Sequence, residues 1–531
     1  MPSLWGTSRD DDHDADAGEH DNGRSEDDSR SRADERTRLL PNQANNSTSR
    51  LLTPDDPAVS PYNLWAVRVL RYVTLFMTLF SFVWWSLLLI AIFATPPGLE
   101  TRGSGFFALS NASIALCLLI SKLVFFGTPS KSSRILCACM ALALLVNSIL
   151  TLAVQMVRYE EGWVGTVSVL WALLMSLWVL LADRTVRWGK EEEEVRLTGR
   201  AETRRTLTEW SSVLLETIGL FILAIAIVLM TLTLMIRSVD AGVAPPGKLY
   251  WVDGGKYRMH VCCEGDGAKA EGNSTPTVLL EGGEMPVGNG LRQLARDALK
   301  NGSISRYCFV DRPGVSWSDT APSPLSAGME AVAASEALAK AGERGPWVVA
   351  SAGVGSYYSR VFVSQHSREV KGLLLIDALH DDDLARLGSP RRGFLLWLWG
   401  FLSPLGLDTL PAALFRGRGS VDRIRGVSAR HNPKNIFARL QESLVADSFT
   451  KRDVEGSRAI MRRSTPLTVI TSGKHAEKDK GWKENQRDLT MLTENLQHWD
   501  VVDDAPHEVW ETLEGRRVIE ERLREMVRHA E

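Results

Sequence analysis

The chain has 531 residues, 24 % of them charged and 44 % apolar, and a formal net charge of −3. That length allows two or more folded units, and the near-neutral balance gives no sign of a nucleic-acid partner. Six cysteines lie at spacings that suggest no metal site, and nothing calls for a cofactor.

Residues 1–62 are polar and charged, with few aromatic residues. Such a segment buries too little apolar surface to offset chain entropy, so it is expected to be a disordered tail. Its start, "MPSLWGTSRDDDHDADAGEHD", has no apolar core and is acidic, which argues against a signal peptide and a mitochondrial presequence. Within it "ERTRLL", with Glu35, Leu39 and Leu40, matches an acidic dileucine sorting signal. In a cytoplasmic tail that signal would meet a sorting adaptor and direct the protein to the vacuolar or endosomal system. The pattern is loose and also arises by chance.

Residues 63–238 are expected to form a membrane domain. Five apolar runs, at about 70–94, 106–126, 134–157, 162–182 and 210–236, reach the roughly 20 residues that a bilayer crossing takes. The second is the weakest, because "SNAS" and Lys122 interrupt it. Lys122 is read either as an intramembrane charge or as a side chain reaching out from a helix end. Lys and Arg concentrate before the first run, between the second and third, and in "ADRTVRWGKEEEEVRLTGRAETRR" between the fourth and fifth. This bias puts the N-terminus in the cytoplasm. Five crossings then put the remainder on the lumenal or extracellular side, and membrane lipids become the bundle's surroundings. Sequons at Asn273 and Asn301 are compatible with that side.

Residues 246–531 have globular composition. "LYWVDGGKYRMHVCCEGDG" reads as a hairpin around Gly254 and Gly255. Apolar strands then alternate with amphipathic helices: "TPTVLLEGG", "ISRYCFVDRPG", "PWVVASAG", "VKGLLLIDALH", "TPLTVITSG" and "HWDVVDD". That alternation predicts a mostly parallel sheet with helices on both faces and an antiparallel start.

The ordered blocks "LLEGGE", "VDRPGVSWSD", the strand–turn–helix at "PWVVASAGVGSYYSRVF", "LLLIDALH" and a late His507 resemble the α/β-hydrolase fold. The whole chain is similar to a group of fungal multi-pass membrane proteins carrying such a domain. The resemblance implies a nucleophile elbow of the form Gly-x-Ser-x-Gly, followed in the chain by an acid and a histidine. Pro346 before the strand and "YSRVF" after the turn place Ser351-Ala352-Gly353-Val354-Gly355 on that motif, so the nucleophile position falls on Gly353, which has no hydroxyl. Ser351 is the substitute, but it stands two residues back, about 6–7 Å along an extended chain, while a base must approach within about 3 Å. Ser356 is equally badly placed. His507 takes the place of the family's base. Asp377 takes that of the acid, or else caps a turn, with Asp503 and Asp504 as remoter alternatives. Gly282, Gly283 and the N–H of Val354 take the place of the oxyanion hole.

Residues 385–460 fall where such enzymes insert a lid. Their stretch "RRGFLLWLWGFLSPLGLDTLPAALF" is strongly apolar, which implies either a packed lid helix or one dipping into lipid, and in both cases an apolar pocket. Cys262 or Cys263 would neighbour Cys308 on adjacent strands, close enough for a disulfide in an oxidising lumen. Three functions fit. The first is a binding or scaffold module for an apolar ligand or partner, without the serine. The second is a hydrolase of hydrophobic esters using Ser351 or a water held by His507. The third is a receptor or transporter working through the helix bundle.

Overall fold

The structure, a computed structural model, describes residues 64–198, 207–266 and 275–530. The Glu35–Leu40 motif and Asn273 lie outside these residues. Among them, five helices are long and apolar enough to cross a membrane: α1 (Trp65–Phe93), α2 (Phe106–Val124), α3 (Lys131–Ala153), α4 (Gln155–Thr198) and α5 (Leu207–Asp240). α4 is broken at Gly162, with φ 62° and ψ −160°. It also runs well past the apolar stretch that ends near residue 182. Helix-forming Glu and Lys carry it on, supported by ion pairs one turn apart, such as Arg187–Glu191 at 2.7 Å.

Several polar side chains inside the bundle are paired. Lys122, 2 % exposed, donates to Asp183 at 2.9 Å rather than reaching outward. The indole N–H groups of Trp84, Trp171 and Trp178 donate to Ser168, Ser81 and Thr74. The outer face leaves large apolar side chains such as Phe76, Leu79 and Phe221 exposed, as a surface meeting lipid requires.

Beyond the bundle, β1 (Lys248–Val252) and β2 (Tyr257–Gly265) form the antiparallel hairpin. Then come β3 (Thr277–Glu281), α6 (Leu291–Lys300), β4 (Arg306–Val310), α7 (Ala327–Ala341), β5 (Trp347–Ala352), α8 (Gly355–Gln365) and β6 (Val370–Ile376). An inserted cap follows: α9 (Asp383–Leu387), α10 (Pro390–Leu402), α11 (Thr409–Phe415), α12 (Ser420–Arg425), α13 (Pro433–Val445) and α14 (Lys451–Ile460). The chain closes with β7 (Leu467–Ser472), α15 (Gly473–Lys478), α16 (Lys480–Leu489), β8 (Leu496–Val502) and α17 (Leu513–Ala530).

The strands form one sheet in the order β1-β2-β4-β3-β5-β6-β7-β8. It is parallel from β4 through β8, and β2 is antiparallel to both its neighbours. β3, β5 and β6 are buried on both faces, which is why they read as unbroken apolar runs rather than alternating ones. Helices α7 and α8 cover one face, α6 and α17 the other. The register sets Cys263 opposite Cys308, and these two form a disulfide. Alternation along the strand turns Cys262 to the opposite face, where it stays a buried free thiol.

The cap joins the sheet domain to the bundle. Phe437 of α13 meets Phe106 of α2 edge to face, with ring centroids 6.0 Å apart. Leu396 of α10 and Leu440 of α13 share this cluster. Beside it, Lys434 pairs with Glu160 at 2.9 Å, and Arg237 of α5 with Glu160 at 3.0 Å and Glu161 at 2.8 Å. Arg423 pairs with Asp240. Tyr159 donates to Asp319 at 2.9 Å and lies under the Arg258 guanidinium.

Candidate functional site

β5 turns into α8 at Gly353, whose φ is +46°. This left-handed conformation projects position 353 above the carboxyl ends of the strands, where α/β sheets place their sites. A Cβ there would meet the Glu284 carboxylate and stand 2.9 Å from His507 Nε2. The carboxylate of Glu284, from the loop after β3, thus fills the space in which an elbow side chain would carry its oxygen.

His507 lies between two carboxylates. Its Nδ1 is 2.7 Å from Asp377 Oδ2 and its Nε2 is 2.9 Å from Glu284 Oε2. With an acceptor on each nitrogen, both carry protons. Burial alone would pull the imidazole down, but the hydrogen bonds and charges of Asp377 and Glu284 outweigh it and lift the pKa to about 10. Burial pushes Glu284 up. The bond to His507, its charge, the residue's own backbone N–H and Arg312 win, and the carboxyl falls below its usual value.

Asp377 directly follows β6 and is fully buried. Its Oδ1 accepts from the Ser472 N–H at 3.0 Å and from Trp482 Nε1 at 2.8 Å, while Oδ2 faces His507 and also His475 Nδ1 at 3.0 Å. Four groups from four segments therefore fix the carboxylate, which is more than a turn cap would need. The facing atoms of Asp377, His475 and His507 lie within 4.8 Å of one another, a donor set that could hold a metal ion. Asp503 and Asp504 are exposed and take no part.

Ser351 does not reach the site. Its side chain turns beneath α8, fully buried, and accepts a hydrogen bond from Ser359 at 2.7 Å. Ser356 is likewise buried and bonded to the Leu379 carbonyl at 3.2 Å. Gly282 and Gly283 pass beside the elbow, and their carbonyls accept from the two terminal nitrogens of Arg312 at 2.6 and 2.8 Å. Val354 opens α8. Asn301 sits at the end of α6, with its amide 3.1 Å from Glu520.

A cavity of about 280 Å³ opens above Glu284 and His507. Its walls are mixed: Val315, Val354, Leu379, Leu387 and Trp482 supply the expected apolar surface, while Arg312, Arg386, Arg392 and Arg439, with Glu442 and Asn435, add charge that was not expected. Leu387 of α9 faces the cavity, and much of the cap's other apolar surface faces elsewhere. Leu396 packs toward α1 and α2, Gly400 lies against the Phe106 ring, and Phe394, Trp399 and Phe415 are exposed. Sequence reasoning missed Glu284, His475 and the arginines. Glu284 closes the quoted "LLEGGE" block, so its place beside the loop was visible although its reach was not.

Sheet order, elbow and helical cover define an α/β-hydrolase-fold domain, here carried behind five membrane-length helices. Residues 35–263 match a family model described as a region of unknown function, DUF2417. The chain is 30 % identical over 527 residues to "Uncharacterized protein C23C11.06c" of Schizosaccharomyces pombe, covering 93 % of this chain and 97 % of that one. It belongs to the family of that protein. It is also 24 % identical over 479 residues to "Uncharacterized vacuolar membrane protein YNL115C" of Saccharomyces cerevisiae, 72 % of this chain and 74 % of that one. Similar solved structures include an enol-lactonase from Burkholderia xenovorans, at 15 % identity over 53 % of this chain and 100 % of that one, TM-score 0.38. An esterase from Thermogutta terrifontis aligns at 16 % identity over 54 % of this chain and 99 % of that one, TM-score 0.37.

Proposed function

We propose that this is a vacuolar membrane protein whose hydrolase-like domain lies in the lumen and binds a ligand without serine chemistry. The observation that carries the reading is the Glu284 carboxylate standing at Gly353 and bonded to His507. A hydrolase needs a nucleophile there and a neutral imidazole to take its proton. Here the hydroxyl is absent and the imidazole holds its proton up to about pH 10. The Cys263–Cys308 disulfide supports an oxidising compartment. The basic loops support a cytoplasmic N-terminus, and the printed name of the budding-yeast relative supports the vacuole. In this arrangement the Glu35, Leu39 and Leu40 motif is a sorting-adaptor site.

The test is fluorophosphonate labelling of the purified full-length protein. The wild type stays unlabelled. Gly353→Ser alone also stays unlabelled, because Glu284 occupies the space of the new side chain. The double variant Glu284→Ala, Gly353→Ser becomes labelled. Labelling of the wild type that disappears in Ser351→Ala would restore the hydrolase reading.

A further inference from the structure

The cavity above His507 holds more positive charge than its own carboxylates neutralise. Glu284 is engaged by His507, Glu442 lies 3.5 Å from Arg312, and Arg386 pairs with Asp383 at 3.2 Å. Arg392 of α10 and Arg439 of α13 make no hydrogen bond or ion pair among the described residues, yet both line the cavity. The Nε of Arg392 is buried with no acceptor. A buried donor without an acceptor is costly, and an acceptor arriving from outside would satisfy it. Burial first, and then the charge of Arg439, hold the Arg392 guanidinium below its usual value. Two like charges in a partly desolvated wall, on which Glu442 and Glu284 act only through space, repel less once a bound anion joins them.

We infer that the cavity receives a phosphomonoester dianion, gripped by Arg392 and Arg439, with Glu284 as the internal anion against which it competes. This rests on the binding-module reading above and names its ligand class. Two guanidinium forks match the oxygens of a tetrahedral dianion and supply two charges for its two. Glu442 and Glu284 in the same wall disfavour a larger polyanion. A volume of about 280 Å³ suits a small phosphomonoester or the headgroup end of a lipid. A lipid source is geometrically open, since α13, which supplies Asn435, Arg439 and Glu442 to the cavity, also packs Phe437 and Leu440 into the cluster shared with α2.

The test is calorimetric titration of the full-length protein in neutral detergent at low salt, with glycerol 3-phosphate and with dioctanoyl phosphatidic acid. Saturable binding of either is expected. Binding of the free ester identifies a soluble ligand, and binding of the lipid alone identifies a headgroup. Arg392→Gln with Arg439→Gln lowers affinity at least tenfold while Tm without ligand holds or rises. Glu284→Gln raises affinity severalfold by removing the competitor. Absence of saturable binding of both compounds, or binding unchanged in the double arginine variant, overturns the inference. Fluorophosphonate labelling reports separately: an unlabelled wild type that also binds neither compound removes the anion and leaves the non-hydrolytic reading standing.

Discussion

The ring of His507 donates from Nδ1 to Asp377 and from Nε2 to Glu284, at 2.7 and 2.9 Å. Its folded pKa, about 10, lies above the unfolded imidazole value of about 6.5. The stability this gives is therefore whole below about pH 6.5 and is lost as pH climbs toward 10. Glu284 shifts the other way, so its share is whole above the ordinary glutamate value near 4.3 and is lost as acid protonates the depressed group. The pair is strongest between these limits, in mildly acidic solution. Glu284→Gln should lower Tm there by about 2 °C, for about 1 kcal/mol screened by the solvent access of Glu284. Melting curves at pH 5.5 and pH 9.5 check this: the gap between wild type and variant should shrink at the higher pH, and a gap that widens would contradict the pairing. At this scale the sequence was partly legible. Pro346 and "YSRVF" fix Gly353 because they bracket it within a few residues. Glu284 stands 69 positions upstream and enters only when the loop after β3 folds back over the elbow.

At the scale of elements, α13 is the piece that does two jobs. Asn432 caps it by accepting from the Lys434 N–H at 3.0 Å, and Pro433 starts its first turn with a φ already suited to a helix. One side carries Asn435, Arg439 and Glu442 to the cavity, while Phe437 and Leu440 join the cluster on α2. Phe437 is 5 % exposed, so Phe437→Ala should cost about 3 kcal/mol through the hole it leaves. Combined with Phe106→Ala it should cost clearly less than the sum of the two, in thermal melts of the purified protein. Strict additivity would show that the two rings do not support each other. The cap's sequence was half legible for a physical reason. Apolarity reports that a face is covered, not by what. In "RRGFLLWLWGFL" part of the covering comes from membrane helices, while the arginines that shape the cavity are scattered over more than fifty residues.

For the whole molecule, the fold class was readable because buried parallel strands and bilayer-length helices both leave long, uninterrupted apolar signatures. The contact between bundle and sheet domain was not readable, since it rests on single charges such as Glu160, Arg237 and Lys434 from distant segments. The disulfide gives a test at this scale. Its cysteines lie 45 positions apart, and closing such a loop is worth about 2–4 kcal/mol. In sealed vacuolar membranes, Cys263 and Cys308 should accept a thiol reagent only after reduction, and a C-terminal tag should resist added protease. A tag cleaved in intact vesicles would place the domain in the cytoplasm.

One consequence follows from the double duty of α13. The helix is a rod about 20 Å long, and Arg439 and Phe437 are two positions apart on it. The arginine lines the chamber, and the phenylalanine is wedged against the Phe106 ring of α2. The wall of the chamber and the seat on α2 therefore belong to one rigid element.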